Sequence, residues 1–341
     1  MMADEPLDVV GIGNAIVDVL AHADDDFLTR HRLTKGAMTL IDAERAEQLY
    51  SVMGPGVECS GGSAGNTMAG IASLGGRGAY IGKVRDDQLG QVFRHDIRAA
   101  GVAFDTPPAS SGPPTARCLI LITPDAQRTM NTYLGACVDL GPEDIDPMVI
   151  GGAQVTYLEG YLWDPPRAKE AFRKAAALAH AAGRKVALSL SDPFCVDRHR
   201  REFRDLVKSH VDILFANEAE ILSLYQVDDI DDAVAAVRTE CELTALTRSG
   251  KGSLVVQAAT VEPVAAEPIA RVLDTTGAGD LYASGFLYGY TRRLPAAQCG
   301  RLGSIAAAEV ISHFGARPAT PLKDLLARTP GNARAASGAP M

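Results

Sequence analysis

Asp274-Thr275-Thr276-Gly277-Ala278-Gly279-Asp280 runs without a break into Leu281-Tyr282-Ala283-Ser284-Gly285-Phe286-Leu287-Tyr288-Gly289-Tyr290. Residues 277–279 carry little or no side chain, so their backbone can close on an anion. The apolar run behind them has the composition of a buried helix, whose free N–H groups and positive dipole end would point at that anion. A phosphate suits such a place. Asp280 falls in the first turn, where its carboxylate could reach a hydroxyl beside the phosphate and take the proton as that oxygen attacks. The same string also suits a tight glycine turn with an aspartate cap, so its companions decide the weight.

Outward from that loop, short apolar runs alternate with alanine-rich amphipathic stretches, as strands and covering helices do in a parallel sheet. The pattern predicts strands at Val9–Gly13, Ala79–Lys83, Val155–Glu159, Val186–Ser191, Ile213–Ala216 and Thr244–Thr247. It predicts helices at Ser63–Leu74, Gln88–Ala100, Pro166–Ala182, Asp197–His210, Ala278–Arg292 and Ala296–His313. The fold class is therefore α/β, a doubly wound, mostly parallel sheet flanked by helices. Cys118–Leu134 breaks the rhythm, since CLILI, the turn-like TPDAQ and RTMNTYL make a hairpin with no helix between its strands. With Val17–Leu40, weak in helical periodicity, it is expected to form a small β-sheet lid drawn from residues 14–45 and 104–135. A plain edge hairpin is the alternative. Residues 321–341, rich in Ala, Pro, Gly and Arg, read as a partly flexible tail.

Asn217-Glu218-Ala219-Glu220 follows a predicted strand, on the edge where open α/β sheets bind ligands. Asn217 suits a phosphate contact and Glu220 a Mg²⁺ held through water, although the string is also an ordinary helix cap and first turn. Thr247-Arg248-Ser249-Gly250-Lys251-Gly252-Ser253 is no P-loop, because position 245 is Ala and a strand follows. It is either a turn lying along a nucleotide through Thr247, Gly250 and Gly252, or a simple hairpin turn. Gly11-Ile12-Gly13-Asn14 has Ile at position 16, where a dinucleotide fingerprint needs Gly, which disfavours an NAD-dependent oxidoreductase. Asn14 and Asp18 combine an amide with a carboxylate, a pair suited to vicinal hydroxyls. Gly62 and Asn66, in a Gly-rich helix start, can approach the same polyol or serve merely as turn and cap.

The 341 residues include 33 basic and 42 acidic side chains, a net charge of −9, opposite to the basic surface of a general nucleic-acid binder. With 47% hydrophobic residues a sizeable core is available, in two domains or in one large domain with a lid. Cys59, Cys118, Cys137, Cys195, Cys241 and Cys299 stand singly, as free thiols do in a reducing cytosol. No secretory leader is evident and no uncharged apolar run reaches the ~18 residues that span a bilayer. The expectation is a cytoplasmic monomer or homodimer that acts on a small molecule, without nucleic-acid or membrane partners.

Taken in order, Asn14-Ala15-Ile16-Val17-Asp18, NEAE, the T-x-x-G-x-G turn and DTTGAGD resemble the ribokinase-like (PfkB) family of carbohydrate and nucleoside kinases over roughly residues 8–320. The resemblance implies one α/β kinase domain over residues 1–320 with a β lid, and transfer of the γ-phosphoryl group of ATP, with Mg²⁺, to a substrate hydroxyl. It implies Asp280 as general base and Gly277, Ala278 and Gly279 as anion hole. Asn217 and Glu220 match the phosphate and magnesium motif. Thr247, Gly250 and Gly252 match the nucleotide-side turn, with Ser304 and His313 on the final helix near the adenine. Asn14, Asp18, Gly62 and Asn66 match acceptor positions, and a K⁺ ion near Asp274 and Thr276 follows from the same likeness. GIGNAIVD and Ser189–Phe194 look closest to the adenosine kinase branch, where a lid arginine like Arg128 approaches the transferring phosphate. Tyr133, Leu134 and Phe194 would then wall a purine base, unless they are core residues. The implied acceptor is the 5′-hydroxyl of adenosine or a related purine nucleoside. A ribose- or fructose-type sugar kinase and a non-catalytic nucleoside- or sugar-binding regulator are the alternatives.

Overall fold

In the computed structural model, which describes residues 6–125 and 127–328, the strands fall into two sheets. In chain order they are β1 (Leu7–Ile12), β2 (Ile16–His22), β3 (Met38–Leu40), β4 (Val57–Ser60), β5 (Gly78–Ile81), β6 (Ala116–Ile122) and β7 (Arg128–Tyr133). There follow β8 (Ala153–Glu159), β9 (Lys185–Ser189), β10 (Ile213–Asn217), β11 (Leu243–Thr247), β12 (Ser253–Gln257) and β13 (Val261–Val264). The large sheet has the order β13-β12-β11-β10-β9-β8-β1-β5. Its run from β11 to β5 is parallel throughout and contains the six strands predicted from the apolar pattern, while β12 and β13 fold back antiparallel.

Strand alternation splits the core between the two faces of this sheet. Val10, Ile12, Leu158, Val186 and Leu188 pack under helices Pro166–Ala181, Pro193–His210, Glu218–Tyr225 and Ile230–Val237. Val9, Val155, Tyr157, Ala187 and Phe215 pack under helices Ser63–Ser73, Ala278–Thr291 and Ala296–Val310. Each fully buried aliphatic or aromatic side chain of this kind contributes about 1.5–3 kcal/mol, which makes the sheet a rigid platform for what lies at its carboxyl edge. The six cysteines are unbridged.

The second sheet has the order β3-β7-β6-β2-β4, with the β6–β7 hairpin inside it. It draws on the expected segments, but also on β4, which lies outside both. The four-residue β4 is too short and too exposed to show a period in sequence. Helices Asp25–Arg30 and Ala43–Val52 stand in the stretch read as weak in helical periodicity, each started by an aspartate cap, Asp24 and Asp42.

Two helix boundaries and the start of the tail differ from expectation. Helix Pro193–His210 starts four residues before the expected Asp197, because Asp192 caps it through the Cys195 N–H and Pro193 takes the first helical position. Helix Ala296–Val310 ends before His313, which lies in the following turn and not on the helix. Residues expected to open a flexible tail instead form helix Leu322–Arg328, with Leu322 and Leu326 buried; the remainder of that tail, 329–341, lies outside the described residues.

Candidate active site

The backbone passes from β1 into β2 through Gly13-Asn14-Ala15, so the residues just beyond β1 sit where the large sheet hands over to the small one. The DTTGAGD loop reaches the same place from the other end of the chain. Gly277 caps helix Ala278–Thr291 at φ +79°, and a Cβ there would stand 2.7 Å from the Ala316 carbonyl oxygen, so only glycine fits. Among the described residues no side chain caps this helix. Among the described residues nothing accepts from the N–H groups of Gly277, Gly279 or Asp280, whereas that of Ala278 donates to Thr275 O at 3.2 Å. Three backbone donors are thus open at a dipole's positive end.

Asp280 is held from two sides by helix Ser63–Ser73. The Ser63 hydroxyl donates to Oδ1 at 2.6 Å and the Asn66 amide to Oδ2 at 3.0 Å. Desolvation raises the carboxyl above its ordinary range, and these two donors oppose the rise. Asp18, on β2, lies against Gly61, where a Cβ would come within 2.4 Å of its Oδ2. Among the described residues its carboxylate has no hydrogen-bond partner. Desolvation pushes it up to about 6, Arg317 and Arg128 pull it down, and Asp280 adds to the rise. Gly62, at φ +83°, is similarly pressed onto the chain, since a Cβ would meet Asn14 O at 2.2 Å.

Asn14 is buried and two of its three N–H groups are already used. Its Nδ2 donates to Glu159 Oε1 at 2.7 Å and its backbone N–H to the same oxygen at 3.3 Å, leaving the side-chain carbonyl and the second Nδ2 hydrogen uncommitted among the described residues. Glu159 Oε2 accepts from Ala64 N–H at 2.8 Å. Burial pushes Glu159 up to about 7 against these donors. Sequence reading passed over this residue, although a glutamate closing a mostly apolar strand is a signal in itself, since such a group stays buried only when paired.

Arg128, on β7, turns one Nη1 to Asp274 Oδ2 at 3.0 Å, and both side chains are buried. Its Nε and other Nη are buried with no partner among the described residues. Asp274 also accepts from Thr276 N–H and hydroxyl and from Gly315 N–H. The carboxylate read as a cation neighbour is therefore saturated by protein donors.

On the other side of the loop, Asn217 and Glu220 form a capping box in which both Glu220 oxygens accept from Asn217, at 2.9 and 2.6 Å. Burial pushes Glu220 up to about 7, with Asp192 contributing. Desolvation, then the fields of Asp192, Asp280 and Glu220, also pushes the Tyr161 hydroxyl up, so three carboxylates bear on one region. Among the described residues no cluster of three metal-ligating side chains is preformed. Excess negative charge without a cage suits Mg²⁺ arriving on phosphates, since that ion keeps most of its waters. Thr247 is registered against Asn217 across β10 and β11, and Gly252, at φ +83°, turns the chain back into β12. Gly250 is open, Ser304 is buried within its helix, and His313 pairs with Glu309 at 3.2 Å. Tyr133 and Leu134 are half-buried at the end of β7. Phe194 is 75% exposed in a helix first turn, so it forms no wall of an enclosed pocket; its apolar character had suggested otherwise.

Residues 37–323 match the profile of the pfkB family carbohydrate kinases. The chain is similar to the adenosine kinase of Sinorhizobium meliloti, with 56% identity and a TM-score of 0.89 over 95% of this chain and 99% of that one. A probable sugar kinase of Rhizobium etli shares 54% identity with a TM-score of 0.89, covering 96% and 99%. The fructokinase of Klebsiella pneumoniae is 28% identical over 294 residues, 80% of this chain and 92% of that protein. No helix of the described residues is long and apolar enough to cross a membrane.

Proposed function

The chain belongs to the pfkB carbohydrate kinase family and is an ATP-dependent kinase of the nucleoside and sugar class, and on that premise we propose that its acceptor is a purine nucleoside, adenosine foremost, phosphorylated at the 5′-hydroxyl. The observation that carries the reading is the meeting of Asp280, oriented by Ser63 and Asn66, with three backbone amides and the Asp18 carboxylate, all without a partner among the described residues. Likeness over nearly the whole chain to a protein named an adenosine kinase supports the nucleoside.

In this proposal Asp18 and the Asn14 carbonyl take the ribose hydroxyls, with Gly62 and Asn66 alongside and Tyr133 and Leu134 beside the base. The acceptor hydroxyl gives its proton to Asp280 as its oxygen bonds to the γ-phosphorus, and the bond from that phosphorus to the bridging oxygen breaks, releasing ADP. A carboxylate raised by desolvation is a stronger base than one in water. The open amides of Gly277, Gly279 and Asp280, beside the small Ala278 whose own N–H is held by Thr275 O, and the spare N–H groups of Arg128 stabilise charge on the moving phosphoryl group. Asn217, Thr247, Gly250 and Gly252 would lie along the nucleotide, with Ser304 and His313 toward its base. Mg²⁺, when bound, neutralises phosphate charge, and Glu220 with Asp192 would hold it through water. The sheet β3-β7-β6-β2-β4 would act as the lid that excludes water, which otherwise competes for the phosphoryl group. K⁺ beside Asp274 and Thr276 would have to rely on backbone carbonyls, and stimulation of turnover by K⁺ over Na⁺ would support it.

ADP release with adenosine, guanosine, inosine, cytidine, ribose and fructose tests the reading. Strong stimulation by adenosine is expected. Stimulation by fructose or ribose alone would favour the sugar kinase reading, which the likeness to a probable sugar kinase also supports. Ligand binding without ADP release would favour a regulator. A pH dependence follows as well. Asp18 binds hydroxyls best when ionised, so kcat/KM for the acceptor should hold above about 6 and fall as the pH drops through it. A profile flat down to pH ~5 would remove Asp18 from acceptor binding.

A further inference from the structure

Residues 315–317 form a strap across the site. Gly315 N–H donates to Asp274 at 2.9 Å, Ala316 closes on Gly277, and Arg317 reaches helix Ser63–Ser73. Arg317 Nε donates to Asn66 Oδ1 at 3.4 Å and its Nη1 pairs with Asp96 at 3.2 Å. Asp96 in turn accepts from the N–H and hydroxyl of Ser60, at the end of lid strand β4, at 2.7 and 2.6 Å. A guanidinium only donates, whereas an amide side chain can present either its oxygen or its nitrogen. With Arg317 on one side, Asn66 must turn its oxygen there and its Nδ2 toward Asp280, and that Nδ2 makes the 3.0 Å bond to Asp280 Oδ2.

We infer that Arg317 is a positioning residue for phosphoryl transfer: it fixes the Asn66 amide so that Nδ2 orients Asp280, and through Asp96 it ties that arrangement to the lid. The inference rests on the reading of Asp280 as the base. Arg317 also acts electrostatically on Asp18, holding that carboxyl down. The other groups bearing on Asp18 are Arg128 on β7 and Asp280, with Cys59 on β4 and Cys118 on β6 feeling its charge. Around Asp280 stand Ser63 and Asn66, then Asp18, Tyr157 and Glu159 on β2 and β8, and Tyr161.

Steady-state ADP release by the full chain is measured from about pH 5 to 9 for Arg317→Gln, Arg317→Lys, Asn66→Ala, and Arg317→Gln combined with Asn66→Ala. Arg317→Gln should lower kcat roughly tenfold or more, and the double variant should lose little beyond Asn66→Ala, because both act through one amide. The acid limb of kcat/KM should move to higher pH in Arg317→Gln, where the charge near Asp18 is gone, and stay in place in Arg317→Lys, where it is kept. Turnover of Arg317→Gln within about twofold of the parent, or losses that simply add, would overturn the inference. If thermal melting shows Arg317→Gln unfolded, Arg317→Lys decides. One ammonium cannot bridge Asn66 and Asp96 as a fork does, so a loss of about threefold or more supports the inference and full kcat overturns it. Substantial turnover by Asp280→Asn would instead sink the underlying assignment of the base, a result separable from an inactive Asp280→Asn beside a fully active Arg317→Gln.

Discussion

Asp280→Asn is expected to lower kcat by about 10²–10⁴-fold with little change in acceptor affinity, a loss of about 3–5 kcal/mol of transition-state stabilisation. The substitution tests the chemistry cleanly because the local network can accommodate it. An asparagine at 280 can turn its oxygen to the Asn66 amide and its nitrogen to the Ser63 hydroxyl, which accepts as readily as it donates. Helix Ala278–Thr291 also keeps its packing, because the shape of the residue is unchanged. What disappears is a group able to receive the acceptor proton. The check is steady-state ADP release at saturating adenosine, beside adenosine binding by calorimetry. Turnover within tenfold of the parent chain would show that another group takes the proton.

Asp18→Ala should act on the other arm of the site. Its carboxylate has no partner among the described residues, and it sits between Arg317 and Arg128 with Gly61 pressed against it. A hydroxyl bonded to such a group gains about 1.5–3 kcal/mol, so its loss should raise the acceptor KM about 10- to 150-fold and leave kcat less affected. Neither arginine is left without a carboxylate, since Arg128 keeps Asp274 and Arg317 keeps Asp96. The KM for ATP serves as the internal control. An acceptor KM unchanged by the substitution would place the polyol elsewhere, and a parallel rise in both KM values would point to a general distortion of the small sheet.

Much of the platform was legible because its signals are short-range. The six parallel strands appear as apolar runs, since both faces of each are covered by helices, and the hairpin of β6 and β7 appears as two runs without a helix between them. The loop before Asp280 was legible for a similar reason, as small residues ahead of an apolar run mark a helix start. The aspartate caps at Asp24, Asp42 and Asp192 were present in the sequence but outweighed by weak periodicity behind them. Phe194 misled because an apolar side chain reads the same whether it lines a pocket or stands in water. Glu159 was hidden by its strand, and its partners Asn14 and Ala64 lie 145 and 95 residues away.

The sequence by itself determined the sheet, the glycine loop and the helix behind it, because strand period, turn geometry and caps depend on neighbours within a few positions. Only the tertiary structure decided how the polar groups are spent. Asn14 gives two N–H groups to Glu159, Arg128 gives one to Asp274, and Arg317 meets an amide 251 residues distant, which in turn meets Asp280 across 214. Hydrogen bonds of that reach are set by how the small sheet and helices Ser63–Ser73 and Ala278–Thr291 pack onto a common edge. No local pattern encodes that edge, because each donor had several acceptors open to it until packing left one.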